Sequence, residues 1–263
     1  MRLNGIFYSL GLIFLFSLYT PAQESEFRKL ENKAFKVGEK LTFDVKYGFV
    51  TAGIAVMQIP KLKRISGRDV YHVTFGVNTV PSFDIFYKVR DRYETYLDFE
   101  GLFPWRFEQH IREGGYSRDF SAFFDQRRGT AKTSEGSYEI PIYVNDIVSA
   151  FYYARTLSYD TLKVGDRFHL QNFYKDKVYP LDVVYHGKER ISVGAGTFDC
   201  IIVEPLVEEG GLFKSEGNII VWLSDDILKI PVKVKTKVII GSIDAELTNY
   251  EGLAGKLTSR VGD

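Results

Sequence analysis

The chain runs through the same order of strand and turn signals twice, and any fold that accommodates it must repeat as well. Val37-Gly38-Glu39-Lys40-Leu41 opens the first series, and Val164-Gly165-Asp166-Arg167-Phe168 opens the second. Gly67 to His72 is answered by Gly196 to Ile201, and Phe86 to Arg90 by Leu212 to Glu216. Tyr96 to Glu100 followed by Phe103 to Arg106 is answered by Trp222 to Asp226 followed by Ile230 to Lys233; Gly115 is answered by Gly241. Two copies are too few for a solenoid. The expectation is two meander-like β units, residues 37–140 and 164–252, inside one domain spanning 37–263.

The units read as strands because their apolar residues alternate. Leu41, Phe43, Val45 and Tyr47 interleave with Thr42, Asp44 and Lys46, the period of a half-buried strand. Turn signals recur at Ser66-Gly67, Gly114-Gly115, Asp125 to Gly129 and Gly194 to Gly196. Aromatic residues make up 15% of the chain, which favours strands with large buried faces over a helical bundle. Between the units lies one helical stretch, 145–158. Asn145 or Asp146 can cap it, and Ile147, Phe151 and Ala154 share a face. The expected fold is therefore all-β with one central α-helix. It is an antiparallel curved sheet, or a β-sandwich or half-barrel, with approximate two-fold symmetry.

The last hairpin allows a register to be written down. With Ile240-Gly241 as a two-residue turn, Lys237 faces Asp244 and Lys235 faces Glu246. Opposite charges across a ladder add roughly 0.2–1 kcal/mol each. This reading makes the Lys233, Lys235 and Lys237 stripe a solvated strand face, not an anion site.

At the N-terminus Arg2 precedes an apolar run, Ile6 to Tyr19, and then Thr20-Pro21-Ala22. That is the layout of a signal peptide, residues 1–22, with cleavage after Ala22. The apolar run is too short to span a bilayer comfortably, so no stable membrane span is expected after its removal. No cysteine is near that point, which excludes the lipid-anchored form of export. Residues 23–36 are polar and read as a flexible segment. Cys200 is the one cysteine; it lies in a strand-like run and reads as a buried, inert thiol.

Formal net charge is zero, which removes the basic footprint expected of a nucleic-acid partner. His72, His110, His169 and His186 sit in separate strand-like segments without metal-ligand spacing. No nucleophile elbow, phosphate-binding glycine loop or paired Cys-x-x-Cys occurs, so neither a cofactor nor a metal is expected. The most charged stretch is Lys88 to Glu94. In the repeat Arg90 matches Glu216, and a two-fold would allow the two to pair, with Arg155 joining from the helix. Asp91, Glu94 and Glu216 are the candidate acid–base carboxylates.

Gly38 to Gly48, Tyr87 to Tyr96, Val148 to Arg155 and Phe213 to Glu216 together resemble a bacterial exported family catalogued as domain of unknown function 3108. The resemblance covers nearly the whole chain after the signal segment. It implies export to the envelope of a Bacteroidota-type bacterium; it brings no activity and no functional residues. The open half-barrel of periplasmic lipoprotein carriers is a further likeness, by analogy alone.

Two functions follow as expectations. One is a non-enzymatic periplasmic or envelope module that holds an apolar or amphipathic, lipid-like ligand, or a protein partner, on a curved sheet. Its candidate contact residues are Arg90, Glu94, Arg155, Glu216, Tyr87, Phe151 and Trp222, with Phe83, Phe86 and Tyr152 as further aromatics. The alternative is a hydrolase of an envelope polymer working through the three carboxylates.

Overall fold

A computed structural model of the chain describes residues 27–206, 219–238 and 241–262. The signal segment and Glu216 lie outside the described residues. The strands are β1 (Lys40–Tyr47), β2 (Val50–Ile65), β3 (Arg68–Thr79), β4 (Arg90–Asp98), β5 (Pro104–Glu113), β6 (Tyr116–Asp125), β7 (Thr130–Thr133) and β8 (Ser137–Glu139). They continue with β9 (Arg167–Tyr174), β10 (Lys177–Val193), β11 (Gly196–Leu206), β12 (Ile219–Ser224), β13 (Pro231–Lys237), β14 (Ser242–Glu251) and β15 (Arg260–Val261). A single turn, α1 (Pro81–Asp84), follows β3, and the longer helix α2 (Ile147–Ala154) separates the halves.

Every described strand belongs to one antiparallel sheet, not to two facing sheets. Strands β1 to β6 and β9 to β14 are laid down in the same serial order, and the halves meet where β1 pairs with β14. The recurrence read in the sequence is thus a recurrence of strand order. The halves join head to tail, so a two-fold relating them would run along the axis of the curl. Just past the seam the chain needs Gly252. Its φ is +65°, and a Cβ there would collide with the carbonyl of Gly38.

The sheet curls until its ends meet around α2. Asn145 donates its N–H to the Gln171 carbonyl at 2.9 Å and accepts one from Phe173 at 2.7 Å, which ties the chain before the helix to β9. Phe124 and Phe173 stack edge to face at 5.8 Å, and Arg118 donates to the Tyr174 hydroxyl at 3.4 Å, so β6 and β9 also touch. Odd-numbered residues of β1 and β4 face inward; even-numbered ones face out. This is the alternation read from Leu41, Phe43 and Val45, of which Leu41 and Phe43 are buried.

Helix α2 begins at Asp146, whose carboxylate accepts from the N–H groups of Val148 and Ser149 at 2.8 and 2.9 Å. The Ser149 hydroxyl accepts the Asp146 N–H in return, completing a capping box. Thr95 of β4 donates to the other Asp146 oxygen at 2.6 Å and anchors the helix start to the sheet. The helix is shorter than the expected 145–158, since Arg155 closes it at Ala154.

Residues 27–36 do not behave as the flexible segment that their polarity suggests. Phe27, Ala34 and Phe35 are buried. Phe27 packs on Phe103 and Trp105, and Phe35 meets the Tyr152 ring edge-on at 4.8 Å. The two buried rings decide the outcome, because each is worth about 1.5–3 kcal/mol.

The final hairpin is shifted by two residues from the register written above. Lys237 faces Ser242, Lys235 faces Asp244 and Lys233 faces Glu246. Lys233 reaches both Asp244 and Glu246, at 2.9 and 2.8 Å, and Lys46 adds a 2.7 Å contact to Glu246. On this outward face Lys233 carries the ion pairs, and Lys237 is exposed.

Candidate functional site: an apolar chamber under the curl

Inside the curl lies a cavity of about 600 Å³, within the range of small-molecule sites. Both halves build it. Phe43, Val45, Met57 and Val77 line it from the first, and Val203, Val221 and Ala245 from the second. The helix adds Ile147, Phe151 and Ala154, the face predicted from their spacing. Small or β-branched side chains hold many of these inward positions, and this leaves the volume unfilled.

One end of the curl is stoppered. Arg155, fully buried, makes two bonds to the Glu39 carboxylate, Nη1–Oε1 at 2.7 Å and Nη2–Oε2 at 2.8 Å. It also donates to the carbonyls of Ala34 and Leu228. Burial disfavours the cation, but the facing carboxylate outweighs it, and the guanidinium is held more firmly protonated than usual. Phe35 and Tyr152 fill the space beside the pair. The opposite end is where Tyr47, Thr79, Phe83, Tyr87, Glu113 and Ile243 line the cavity, so the chamber opens there.

Polar groups at that end are few. Asp91 accepts the Arg112 N–H at 2.9 Å. Glu113 has its carboxyl pushed up by burial and by the hydrogen bond it shares with Asp91. Burial also raises the Tyr93 phenol, to about 12. These groups can offer hydrogen bonds to a polar head but form no nucleophile–base arrangement.

The residues singled out from sequence are scattered. Tyr87 and Phe151 line the chamber, as does Phe83. Arg90 pairs with Asp84 at 2.6 Å beside α1, and its expected partner Glu216 lies outside the described residues. Arg155 belongs to the stopper, far from that network in both partners and burial. Glu94 points outward from β4, toward His72 and Arg92, while Asp91 points inward. An odd separation along a strand puts two side chains on opposite faces, so Asp91 and Glu94 do not form the expected carboxylate set. Trp222 donates to Glu189 at 2.8 Å, its neighbours Val221 and Leu223 taking the chamber side. Phe86 is exposed and Tyr152 is wholly buried in the stopper.

The histidines each meet a carboxylate. His110 and His169 face Asp119 and Asp182 directly across a ladder, both at 2.7 Å. His186 meets Glu204 at 2.6 Å, and His72 meets Glu94. Glu94, Glu108 and His110 bring ligand-type atoms within 4.8 Å of one another on the outer face. Arg92 and Arg106 already pair with those two glutamates, so the local charge is met without a cation. Sequence reasoning missed the Arg155–Glu39 stopper and the Asp91–Glu113 pair; small and branched residues at inward positions mark the chamber's walls but not its volume.

Shell and chamber define a class: a β-barrel-like protein made from one curled antiparallel sheet around a short helix. The chain belongs to the family described as protein of unknown function (DUF3108), whose model matches residues 42–248. Among solved structures it is similar to a β-barrel-like protein of domain of unknown function DUF1849 from Brucella abortus. The two share 10% identity and a TM-score of 0.53, over 82% of this chain and 98% of that one. A putative lipoprotein from Parabacteroides distasonis is more distant, at 11% identity and a TM-score of 0.38 over 86% of this chain and 99% of that one. The hypothetical protein CT021 from Chlamydia trachomatis gives 7% identity and 0.37, over 87% and 93%. No curated protein matches the chain. Among the described residues, no helix is long and apolar enough to cross a membrane.

Proposed function

We propose that this protein is an exported, non-enzymatic envelope carrier that holds an apolar or amphipathic molecule inside the curled sheet. One observation carries the reading: a chamber of about 600 Å³, walled by apolar side chains from both halves and from α2, opens at one end beside a few hydrogen-bonding groups. A void of that size and polarity is costly if left empty, because its walls forgo dispersion contacts. An apolar chain or ring system would restore them, and Asp91, Glu113 and Tyr93 would meet its polar end. Export is supported by the charged, apolar and small-residue layout of the first 22 residues.

The test is native mass spectrometry of the protein purified from its own envelope fraction, together with uptake of a fluorescent fatty-acid probe by stripped protein. A co-purifying apolar molecule that the probe displaces is the expected result. A protein that carries nothing and takes up no probe would defeat the reading.

A further inference from the structure

The open end of the chamber is ringed by apolar side chains that stand exposed among the described residues. Phe49, at the tip of the β1–β2 turn, is fully exposed; Ile85 and Phe86, after α1, are 83% and 81% exposed. Val50, Tyr87 and Ile243 are also exposed, at 59%, 49% and 41%. Separate turns bring them to one place. Tyr47 of β1 pairs with both Val50 and Ile243, and the Val80 N–H bonds to the Ala52 carbonyl, which sets α1 beside the β1–β2 turn. The Gly114 N–H bonds to the Lys88 carbonyl, so the β5–β6 turn completes that side. Tyr47, Phe83 and Tyr87 belong both to this rim and to the chamber wall, so rim and chamber are continuous.

Lysines flank the rings. Lys88, Lys177 and Lys237 are exposed at this end, and Lys175 is half-buried beside them. Opposing them among the described residues are exposed Asp176, Asp84 already paired with Arg90, and Glu113 drawn to Asp91 within the mouth. The rings stand on the tips of different turns around an opening. That arrangement suits insertion into a fluid apolar layer more than contact with a flat protein face, and the lysines suit its charged surface.

We infer that this rim docks on an anionic lipid bilayer, with Phe49 and Phe86 entering the acyl boundary and the lysines meeting headgroup phosphates. The inference rests on the chamber reading and adds where cargo is exchanged: directly between bilayer and chamber, through the mouth.

The test is co-sedimentation of the purified protein with vesicles of phosphatidylcholine mixed with phosphatidylglycerol, against vesicles of phosphatidylcholine alone. The protein should pellet with the anionic vesicles and lose much of that binding in high salt. The Phe49→Ser, Phe86→Ser double variant should bind about a hundredfold more weakly, at about tenfold per ring. Lys88→Glu with Lys237→Glu should abolish the preference for anionic vesicles. Both rings are exposed, so the double variant should keep its circular dichroism and its probe uptake in vesicle-free buffer. No vesicle binding, equal binding to both vesicle types, or unchanged binding by the double variant would each overturn the inference. So would a wild-type dimer in sedimentation velocity that the double variant dissolves, because the rim would then be a self-interface. Probe uptake without vesicle binding defeats docking alone; vesicle binding without probe uptake defeats the chamber reading alone.

Discussion

The guanidinium of Arg155 and the carboxylate of Glu39 lie in a two-bond pair with no solvent exposure on either side chain. One closes the central helix and the other leads into the first strand. Arg155→Met removes the only side-chain cation bonded to Glu39 among the described contacts and leaves a buried carboxylate without a counter-charge. The expected loss is about 3–5 kcal/mol. Chemical denaturation measures it, and the Arg155→Met, Glu39→Met double variant should recover most of the loss.

Asp146 predicts a pH dependence with an unusual sign. Complete burial pushes its carboxyl up to about 6, although Thr95, Ser149 and Val148 donate to it. An acid whose folded pKa lies above its unfolded value binds its proton more tightly when folded. Its ionisation therefore costs stability as pH rises from about 4 toward 6, and the cost is complete above that. A shift of about two units corresponds to about 3 kcal/mol. Asn caps helices as well as Asp does. The Asp146→Asn variant should thus lose this stretch of the stability profile, and wild type minus variant between pH 7 and pH 5 should show wild type gaining on acidification. A flat difference would refute the assignment.

Filling the chamber should remove uptake without unfolding the shell. Ala245 and Val77 face it from opposite halves. Ala245→Phe with Val77→Phe should cut affinity for the fatty-acid probe by at least about tenfold, while the unfolding midpoint moves little because the added rings enter existing space. A titration that matches wild type would show that the probe binds elsewhere.

Cys200 should be silent to thiol reagents. It is fully buried, and burial raises its thiol to about 12. Labelling by iodoacetamide should follow global unfolding; fast labelling of folded protein would contradict the packing.

Phe35→Ala tests whether residues 27–36 are part of the fold. The ring is fully buried against Tyr71 and Tyr152, and its removal should cost about 3–5 kcal/mol in denaturant unfolding.

The sequence makes strand alternation, turn positions and the helix cap legible, because each is written in neighbouring residues. The Asp146 cap and the shared face of Ile147, Phe151 and Ala154 are of this kind. The register of the last hairpin is not, for a definable reason. Lysines at 233, 235 and 237 oppose acids at 244 and 246, and a slip of two residues keeps both the faces and two charge pairs. Turn geometry breaks the tie, and Lys237 opposite Ser242 leaves four residues between them instead of the six that Lys237 opposite Asp244 would leave. The stopper was hidden by distance: Arg155 and Glu39 are 116 residues apart, and the repeat pointed Arg155 toward Arg90 and Glu216 instead. The chamber was hidden because its volume depends on how tightly the sheet curls, which no local pattern states. Asp91 and Glu94 carry a simpler lesson, since strand parity alone separates them.

The seam between β1 and β14 sets a timetable for the molecule. Lys40 pairs with Glu251, so the first strand waits for β14, remote in sequence, before its free edge is satisfied. Chains dominated by such remote pairings assemble slowly. A polypeptide emerging from the ribosome cannot lock itself shut early, and so remains threadable for any translocation machinery that must pass it end-first.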